Sequence, residues 1–135
     1  MPNPEITNND SGSLVLFDGS FKDITLNAGG AIIYPEGQVL AFDASAGKWK
    51  ITESGTAAVA NAKAILKQAT EFTGAGDKLV RAVIGGVVDK NKLVFDGSDT
   101  VDTIPASADD SFGLQLRSYG IEVIDPAEQR NLDNQ

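Results

Sequence analysis

The sequence predicts a mainly β fold of the α+β class, with one short helix near the C-terminus. Short apolar or alternating segments are separated by turns that contain Gly, Pro or Asp, which is the pattern of a β-rich domain. The 135 residues include 14 glycines and only 7% aromatic residues, a composition that suits many turns better than a helical bundle. Only residues 107–120 combine helical spacing with helix end signals.

Three regions are predicted along the chain. Residues 1–13 form a flexible N-terminal arm, because two prolines and one sizeable apolar residue, Ile6, give it too little apolar surface to fold alone. Residues 14–125 form a single β-rich domain, and residues 126–135 form a polar tail. The arm is interpreted either as a frayed terminus or as a segment that orders on a partner.

Strand and turn signals alternate in the first part of the domain. Leu14–Phe17 and Phe21–Leu26 are predicted as two strands, separated by a turn at Asp18-Gly19-Ser20. Ala31–Tyr34 is predicted as a third strand, which ends at the turn Pro35-Glu36-Gly37.

The clearest local signal is a hairpin. Val39–Phe42 and Lys48–Thr52 are joined by five residues, the last of which, Gly47, can adopt the left-handed conformation such loops need. Trp49 and Ile51 alternate with lysines in the second strand. We therefore predict that Trp49 lies on the buried face as a core anchor.

The middle of the chain contains one ambiguous segment and one strong strand. Residues 56–69 are Ala-rich, which favours a helix, but they also alternate, so helix and strand both stay open. Lys78–Val88 is predicted as a strand that is apolar on both faces. Its interior pair Gly85-Gly86 indicates a bulge or a close approach of another backbone. Lys92–Phe95 is predicted as a further short strand after a turn.

A well-delimited helix follows. Ser107 is predicted to cap it, with Asp110 near its positive N-terminal end. Gly120 suits the position just past its C-terminus, and Ile121–Ile124 is predicted as the last strand. The apolar face of the helix is formed by Phe112, Leu116 and Tyr119.

Composition excludes several kinds of chemistry. The chain has no Cys and no His, which removes disulfides, thiolate metal sites and Ser-His-Asp catalysis. The net charge of −8 divides into −3 for residues 1–30, +2 for residues 31–95 and −7 for residues 96–135. Because no region is strongly basic, we expect that the chain binds neither nucleic acid nor an anionic membrane surface. The start of the chain lacks the pattern of a signal peptide.

An acidic segment is the candidate for a metal site. Carboxylates near one another in a flexible loop are ligands that Ca²⁺ accepts, but the spacing here is not that of a helix–loop–helix calcium site. We therefore predict a solvated acidic loop, and neither a metal nor a cofactor. A carboxylate pair that catalyses hydrolysis stays open, since the partners need only be close in space. The acidic residues are Asp96, Asp99, Asp102, Asp109 and Asp110.

Five segments in a fixed order carry a family resemblance. They are Pro35-Glu36-Gly37-Gln38-Val39-Leu40, Gly47-Lys48-Trp49-Lys50-Ile51, Ala64-Ile65-Leu66, Val80-Arg81-Ala82-Val83-Ile84-Gly85-Gly86 and Leu116-Arg117-Ser118-Tyr119-Gly120-Ile121-Glu122-Val123. In this order and at these distances, the chain resembles the head decoration proteins of lambda-like tailed phages. The similarity extends from about Leu14 to Asp125.

The resemblance implies a compact, β-rich, barrel-like or tulip-like subunit that is not an enzyme. It implies homotrimers that bind the major capsid protein at local threefold sites on the outside of the expanded head and stabilise the shell. The location would be the outer surface of the virion, after synthesis in the host cytoplasm. The resemblance also implies that residues 62–68 form a strand.

Two sets of site residues follow from these interpretations. Capsid binding is assigned to the arm and the strand after it, namely Pro4, Glu5, Ile6, Thr7, Leu14, Val15, Leu16 and Phe17. The core and trimer contacts are assigned to Trp49, Val83, Ile84, Gly85, Gly86 and Val87. Two alternatives remain. One is a receptor-binding or glycan-binding module with a groove lined by Trp49 and Tyr34, and the other is a carboxylate enzyme.

Overall fold

The structure, a computed structural model, describes residues 13–126. It is mostly β, with 47% strand against 12% helix, and contains a closed five-stranded barrel and one short C-terminal helix. The predicted fold class is therefore confirmed.

Eight strands and one α-helix organise the described residues. The strands are β1 (Val15–Ala28), β2 (Ile32–Tyr34), β3 (Val39–Asp43), β4 (Lys48–Ile51), β5 (Ala62–Leu66), β6 (Thr70–Phe72), β7 (Gly76–Asp89) and β8 (Ile121–Ile124). The helix α1 (Phe112–Ser118) immediately precedes β8. Short 3-10 turns lie at Ala57–Val59 and Lys90–Lys92.

The barrel is closed by its two longest strands. Its order is β1-β4-β3-β5-β7, and β7 returns to pair with β1 in an antiparallel ladder. β4 joins β1 in parallel at one register position, Leu26 opposite Trp49. The last residues of β7 pair in parallel with β8, and β2 and β6 form a separate two-stranded ribbon.

Two hydrophobic cores lie on opposite sides of the barrel wall. Inward-facing residues of β1, β3, β5 and β7, with two aromatic residues from the ribbon, form the barrel core. Its members are Ile24, Leu26, Ala28, Tyr34, Leu40, Ala64, Leu66, Phe72, Val80 and Ala82. The helix core lies between the wall and α1. Its members are Leu14, Val39, Ala62, Ile65, Val83, Val88, Phe112, Leu116 and Ile121.

The predicted turn at Asp18-Gly19-Ser20 is wrong, because β1 continues through it. The ladder with β7 shifts register between Phe17 and Ser20, and Asp18 has a φ of 54°, so this segment is a β-bulge. The close backbone approach predicted at Gly86 is confirmed, since a Cβ there would lie 2.8 Å from the carbonyl oxygen of Phe17. Because the bulge in β1 lies against Gly86 of β7, β1 continues as one strand over the two segments that were predicted as separate strands.

The hairpin of β3 and β4 is confirmed. Gly47 has a φ of 67°, as the five-residue connection requires. Trp49 is half-buried rather than fully buried. Its ring packs edge-on against Phe42, with centroids 5.5 Å apart, and against the barrel core. It therefore anchors the margin of the core rather than its centre.

The ambiguous segment forms a strand from Ala62 to Leu66, so the strand interpretation is correct over those residues. The strand predicted at Lys92–Phe95 is wrong. That segment begins in a 3-10 turn and makes one isolated bridge, from Val94 to Gln38. Val94 lies in parallel beside the start of β3, where Val39 N donates to Val94 O and Val94 N donates to Gly37 O.

The helix begins later than predicted. Ser111, not Ser107, is its N-cap, and the Ser111 hydroxyl accepts a hydrogen bond from Leu114 N at 3.3 Å. The reason is that Phe112 N donates to Thr103 O, which holds the preceding residues in turns. The glycine predicted just past the helix is confirmed, because Gly120 has a φ of 95°.

Candidate binding surface

The outer face of β1 and β7 carries exposed apolar side chains. Ile24 and Leu26 face the barrel core, so the alternate residues of β1 face outward. On β7, Leu79 and Arg81 share the same outer face, and Leu79 is 72% exposed. An exposed leucine on a rigid sheet suits a contact surface.

Phe21 is the centre of this face. Its ring lies 5.6 Å from the Arg81 guanidinium carbon and 5.9 Å from Lys67 Nζ. Arg81 also contacts Asp23 at 3.2 Å, and both side chains of that pair are more than half exposed. Such solvated pairs contribute about 0–1 kcal/mol, so the cations can be shared with a partner. We call Phe21, Lys67, Leu79 and Arg81 the outer-wall patch.

The first half of β1 has an unpaired edge. Among residues 13–126, β1 pairs with β7 along its length but with β4 only at Leu26. Within the described residues, no strand neighbours the other side of β1 from Val15 to Thr25, although the Ser13 hydroxyl donates to Val15 O at 2.6 Å. Phe17 stands on this segment and is 60% exposed. A free edge of this kind accepts an added strand.

The proposed arm residues divide between two environments. Pro4, Glu5, Ile6 and Thr7 lie outside the described residues. The rest, Leu14, Val15, Leu16 and Phe17, fall within the domain. Leu14 is buried in the helix core, and its carbonyl oxygen accepts a hydrogen bond from Asp89 N at 2.9 Å. Val15 packs against the same core, and Leu16 is half-buried. Only Phe17 among these four presents most of its side chain to solvent.

The proposed core and trimer residues of β7 are buried or half-buried in the subunit. Val83 is fully buried in the helix core, and Ile84 packs against the barrel core. Gly85 and Gly86 face the bulge of β1, where Gly85 approaches Ser20. Val87 is half-buried opposite Phe17. The exposed apolar residue of this strand is Leu79, which sequence reasoning did not single out.

The acidic loop is ordered by its own hydrogen bonds. Asp99 accepts bonds from the backbone N and the hydroxyl of Ser54, at 3.0 and 2.7 Å, and so joins two loops. No group of three or more acidic side chains within residues 13–126 is placed to hold a metal ion. Ile104, in the same loop, is 61% exposed.

Two of the open clefts on the described surface bear on the enzyme and glycan-binding alternatives. One of about 410 Å³ lies beside α1, where carboxylates of Asp102 and Glu122 face the cations of Lys90 and Arg117. A second, of about 280 Å³, is lined by Tyr34, Asp43, Lys50 and other polar residues. Trp49 is not among its lining residues, so this cleft does not combine Trp49 with Tyr34 as a glycan-binding groove would.

Tyr34 and Asp43, in the second cleft, have opposite shifts of pKa. Burial, followed by the nearby charges of Glu53 and Asp96, raises the pKa of the Tyr34 hydroxyl. Hydrogen bonds from Ser45 and Lys50 lower the pKa of Asp43 to about 2. The Asp43 carboxylate accepts from Ser45 Oγ at 2.6 Å and from Lys50 Nζ at 3.0 Å. These polar groups already have partners within the hairpin.

Gln115 is a buried polar residue that sequence reasoning missed. Its Oε1 accepts from Ala62 N at 2.7 Å, and its Nε2 donates to Ala60 O at 3.1 Å and to Asp110 O at 3.3 Å. One side chain thus joins α1 to the start of β5. The available signal was a polar residue on the apolar face of the helix, between Phe112 and Leu116.

None of the helices in the described part of the chain is long and apolar enough to cross a membrane. A scan against protein-family models finds no match to this chain, and a search of curated proteins finds no significant match.

Proposed function

We propose that this chain is a structural protein that binds the exterior of an assembled protein shell, as the resemblance to phage head decoration proteins implies. Its partner would be the major capsid protein, and its place would be the outer surface of the virion. It would act as a trimer at local threefold sites of the expanded head. The mechanism is adhesion, because three linked copies of a weak site give high occupancy together.

The unpaired edge of β1 is the observation that carries this proposal. The edge begins within three residues of the predicted arm, at Val15, and continues to Thr25. A strand of a partner that pairs there would gain main-chain hydrogen bonds, and the alternate side chains would supply specificity. The bulge at Asp18 and Gly19 interrupts the ladder, so a partner is expected to pair on one or both sides of it.

A non-enzymatic role fits the chemistry of the described surface. The chain has no His or Cys, and the Asp43 carboxylate of the Tyr34 cleft is already bonded to Ser45 and Lys50. The cleft beside α1 is open and lined by charges of both signs. We propose that the protein has no catalytic activity and needs no cofactor.

The test is to mix the full chain with expanded and unexpanded empty shells and to measure the bound protein by co-sedimentation. We expect binding to expanded shells. Deletion of residues 1–13 should weaken binding strongly while the melting temperature stays within a few degrees, since those residues precede both cores. Replacement of Ile6 by Pro should reproduce much of the loss, because Pro removes a backbone donor. If the truncated chain binds as well as the intact one, the arm plays no part.

A matched pair of substitutions tests the edge of β1 separately. Phe17 and Ile33 are similarly exposed, at 60% and 63%, but Ile33 lies on β2 in the separate ribbon. Phe17→Asp should reduce shell binding at least tenfold, whereas Ile33→Asp should leave it unchanged. Equal losses of shell binding in the two variants would indicate non-specific hydrophobic adsorption rather than strand addition at the β1 edge, and would contradict this proposal.

A further inference from the structure

The exposed apolar side chain of Ile104 and the acidic residues around it are complementary to the apolar and cationic side chains of the outer-wall patch. Ile104 projects from the loop of residues 96–110, which we call the Ile104 loop. This loop contains five acidic residues and no basic residue. A surface that receives Ile104 must therefore combine apolar area with positive charge.

The Ile104 loop is held in place although it is a surface segment. Thr103 N donates to Thr100 O at 3.1 Å, and Thr100 N donates to the Thr103 hydroxyl at 2.8 Å. Gly113 N donates to Val101 O at 2.9 Å, and Pro105 is buried. Because the backbone on both sides of Ile104 is fixed, little ordering entropy would be lost when Ile104 enters an interface.

The outer-wall patch has the properties that Ile104 requires. Two cationic groups, from Lys67 and Arg81, lie over the exposed Phe21 ring, and Leu79 stands beside them on the same wall. Both cations also contact a carboxylate, but loosely: Lys67 lies 3.8 Å from Glu36, and Arg81 lies 3.2 Å from the exposed Asp23. Such pairs exchange readily for better ones.

We propose that the Ile104 loop of one copy docks on the outer-wall patch of a second copy. Ile104 would pack against Leu79, and acidic residues such as Asp102 would approach Arg81 and Lys67 over the Phe21 ring. The two surfaces lie on different parts of the subunit. The patch is formed by β1, β7 and Lys67 just after β5, whereas the loop packs beside α1, so they complement each other only between copies.

The proposed interface is head to tail. A contact between two different surfaces of identical copies repeats around an axis and closes into a ring, or else continues as a filament. This inference rests on the proposed function, which requires that copies of the chain associate, and it names the contact between them. It names residues that neither the resemblance nor the arm implicates.

Charge reversal tests the contact on the full chain, with mass measured by light scattering. The parent should have a multiple of the 14.1 kDa chain mass. The double variant Lys67→Glu with Arg81→Glu should fall to the mass of one chain at the same concentration. Adding Asp102→Lys and Asp109→Lys to that variant inverts the second surface, and should restore the parent mass.

Two controls separate the interface from net charge and from general hydrophobicity. Lys48→Glu with Lys63→Glu gives the same net charge of −12, from −8 and two changes of −2, but leaves the patch intact. It should keep the parent mass. Ile104→Ser should give the mass of one chain, while Ile33→Ser should not. A parent of one-chain mass at all concentrations, or a patch variant that keeps the parent mass, overturns the proposal.

Oligomer mass tests this interface and shell binding tests the proposed function, so the two proposals can fail independently. Single-chain variants that still bind expanded shells would leave the decoration role intact and would show that this contact is not needed for shell binding. A restored oligomer that does not bind any shell would support the interface and contradict the decoration role. Circular dichroism on each variant confirms folding, since all the substituted side chains are at least partly exposed.

Discussion

The two ends of the long β1–β7 ladder have different neighbours, and they divide the domain into a barrel half and a helix half. Around Ile24 and Val80 the ladder belongs to a closed barrel, and its inner face packs within the barrel core. Around Val15 and Val88 it is a three-stranded sheet, in which β8 covers one edge and α1 packs on one face. No strand among residues 13–126 pairs with the other edge, on β1.

This difference indicates that the barrel half provides stability and that the helix half provides the binding edge. A barrel has no free edges, so its closure removes the usual sites of strand addition. In the other half, α1 covers the helix core and Gln115 links α1 to β5, while among residues 13–126 no second strand pairs with the outer edge of β1. If this division is correct, substitutions in the two halves should have distinguishable effects.

The largest effect is expected where the two strands approach most closely. Gly86 has a φ of 114°, and a Cβ there would lie within 3 Å of three backbone atoms of β1. Gly86→Ala should destabilise the protein by about 3 kcal/mol through overpacking and backbone strain. Thermal unfolding should then shift downward by about 10 °C.

Gly47 supplies the control for that prediction. It also has a positive φ, 67°, but no atom lies within 4 Å of its added Cβ. Gly47→Ala should cost about 1 kcal/mol, from backbone strain alone. If the two alanine variants melt alike, the close approach at Gly86 contributes nothing beyond the left-handed conformation.

Gln115 tests whether the helix half is a separate cooperative unit. Gln115→Leu removes partners from Ala62 N and Ala60 O in a buried site, and should cost about 2–3 kcal/mol. Hydrogen exchange should accelerate in α1 and β8 more than in the barrel ladder. Gln68→Leu, at an exposed position, should change stability by less than about 0.5 kcal/mol. Uniform acceleration across the protein would show that the two halves unfold together.

Thr52 offers a change in the opposite direction. Within residues 13–126, its Oγ1 is the buried side-chain polar atom that has no hydrogen-bond partner. Thr52→Val removes the unsatisfied hydroxyl at nearly constant shape, and should stabilise the protein by about 1 kcal/mol. Thr25→Val on the exposed wall should have no such effect. A loss of stability in Thr52→Val, measured by urea denaturation, would mean that the hydroxyl has a solvent partner.

Sequence reasoning succeeded where the local pattern decides the structure, and missed what depends on distant strands. The hairpin at Gly47 and the glycine after α1 were predictable, because a positive φ is a local requirement. The continuity of β1 through Asp18 was not, since a bulge needs Gly86 on the partner strand, about seventy residues away. The free edge and the outer-wall patch likewise depend on strand order, which no local pattern contains.

The smallest expected effect concerns Asp43, at the turn of the hairpin and remote from the free edge. Its pKa is lowered from 3.8 to about 2, chiefly by hydrogen bonds from Ser45 and Lys50. The folded protein therefore binds this proton less readily than the unfolded chain does. The stabilisation from Asp43 is fully present above the unfolded pKa and is lost as the pH falls from about 4 to 2.

Asp43→Asn should abolish that part of the acid dependence. Asn keeps the shape and can still accept bonds from Ser45, but it does not titrate and does not pair with the Lys50 charge. Melting temperatures from pH 6 to pH 2 should fall less steeply for the variant, and the two curves should converge at the acid end. Asp77, whose pKa is also lowered, through Asn27 and Lys48, contributes acid sensitivity that this variant retains. Parallel curves over the whole range would mean that the hairpin turn is not where the barrel half loses stability in acid.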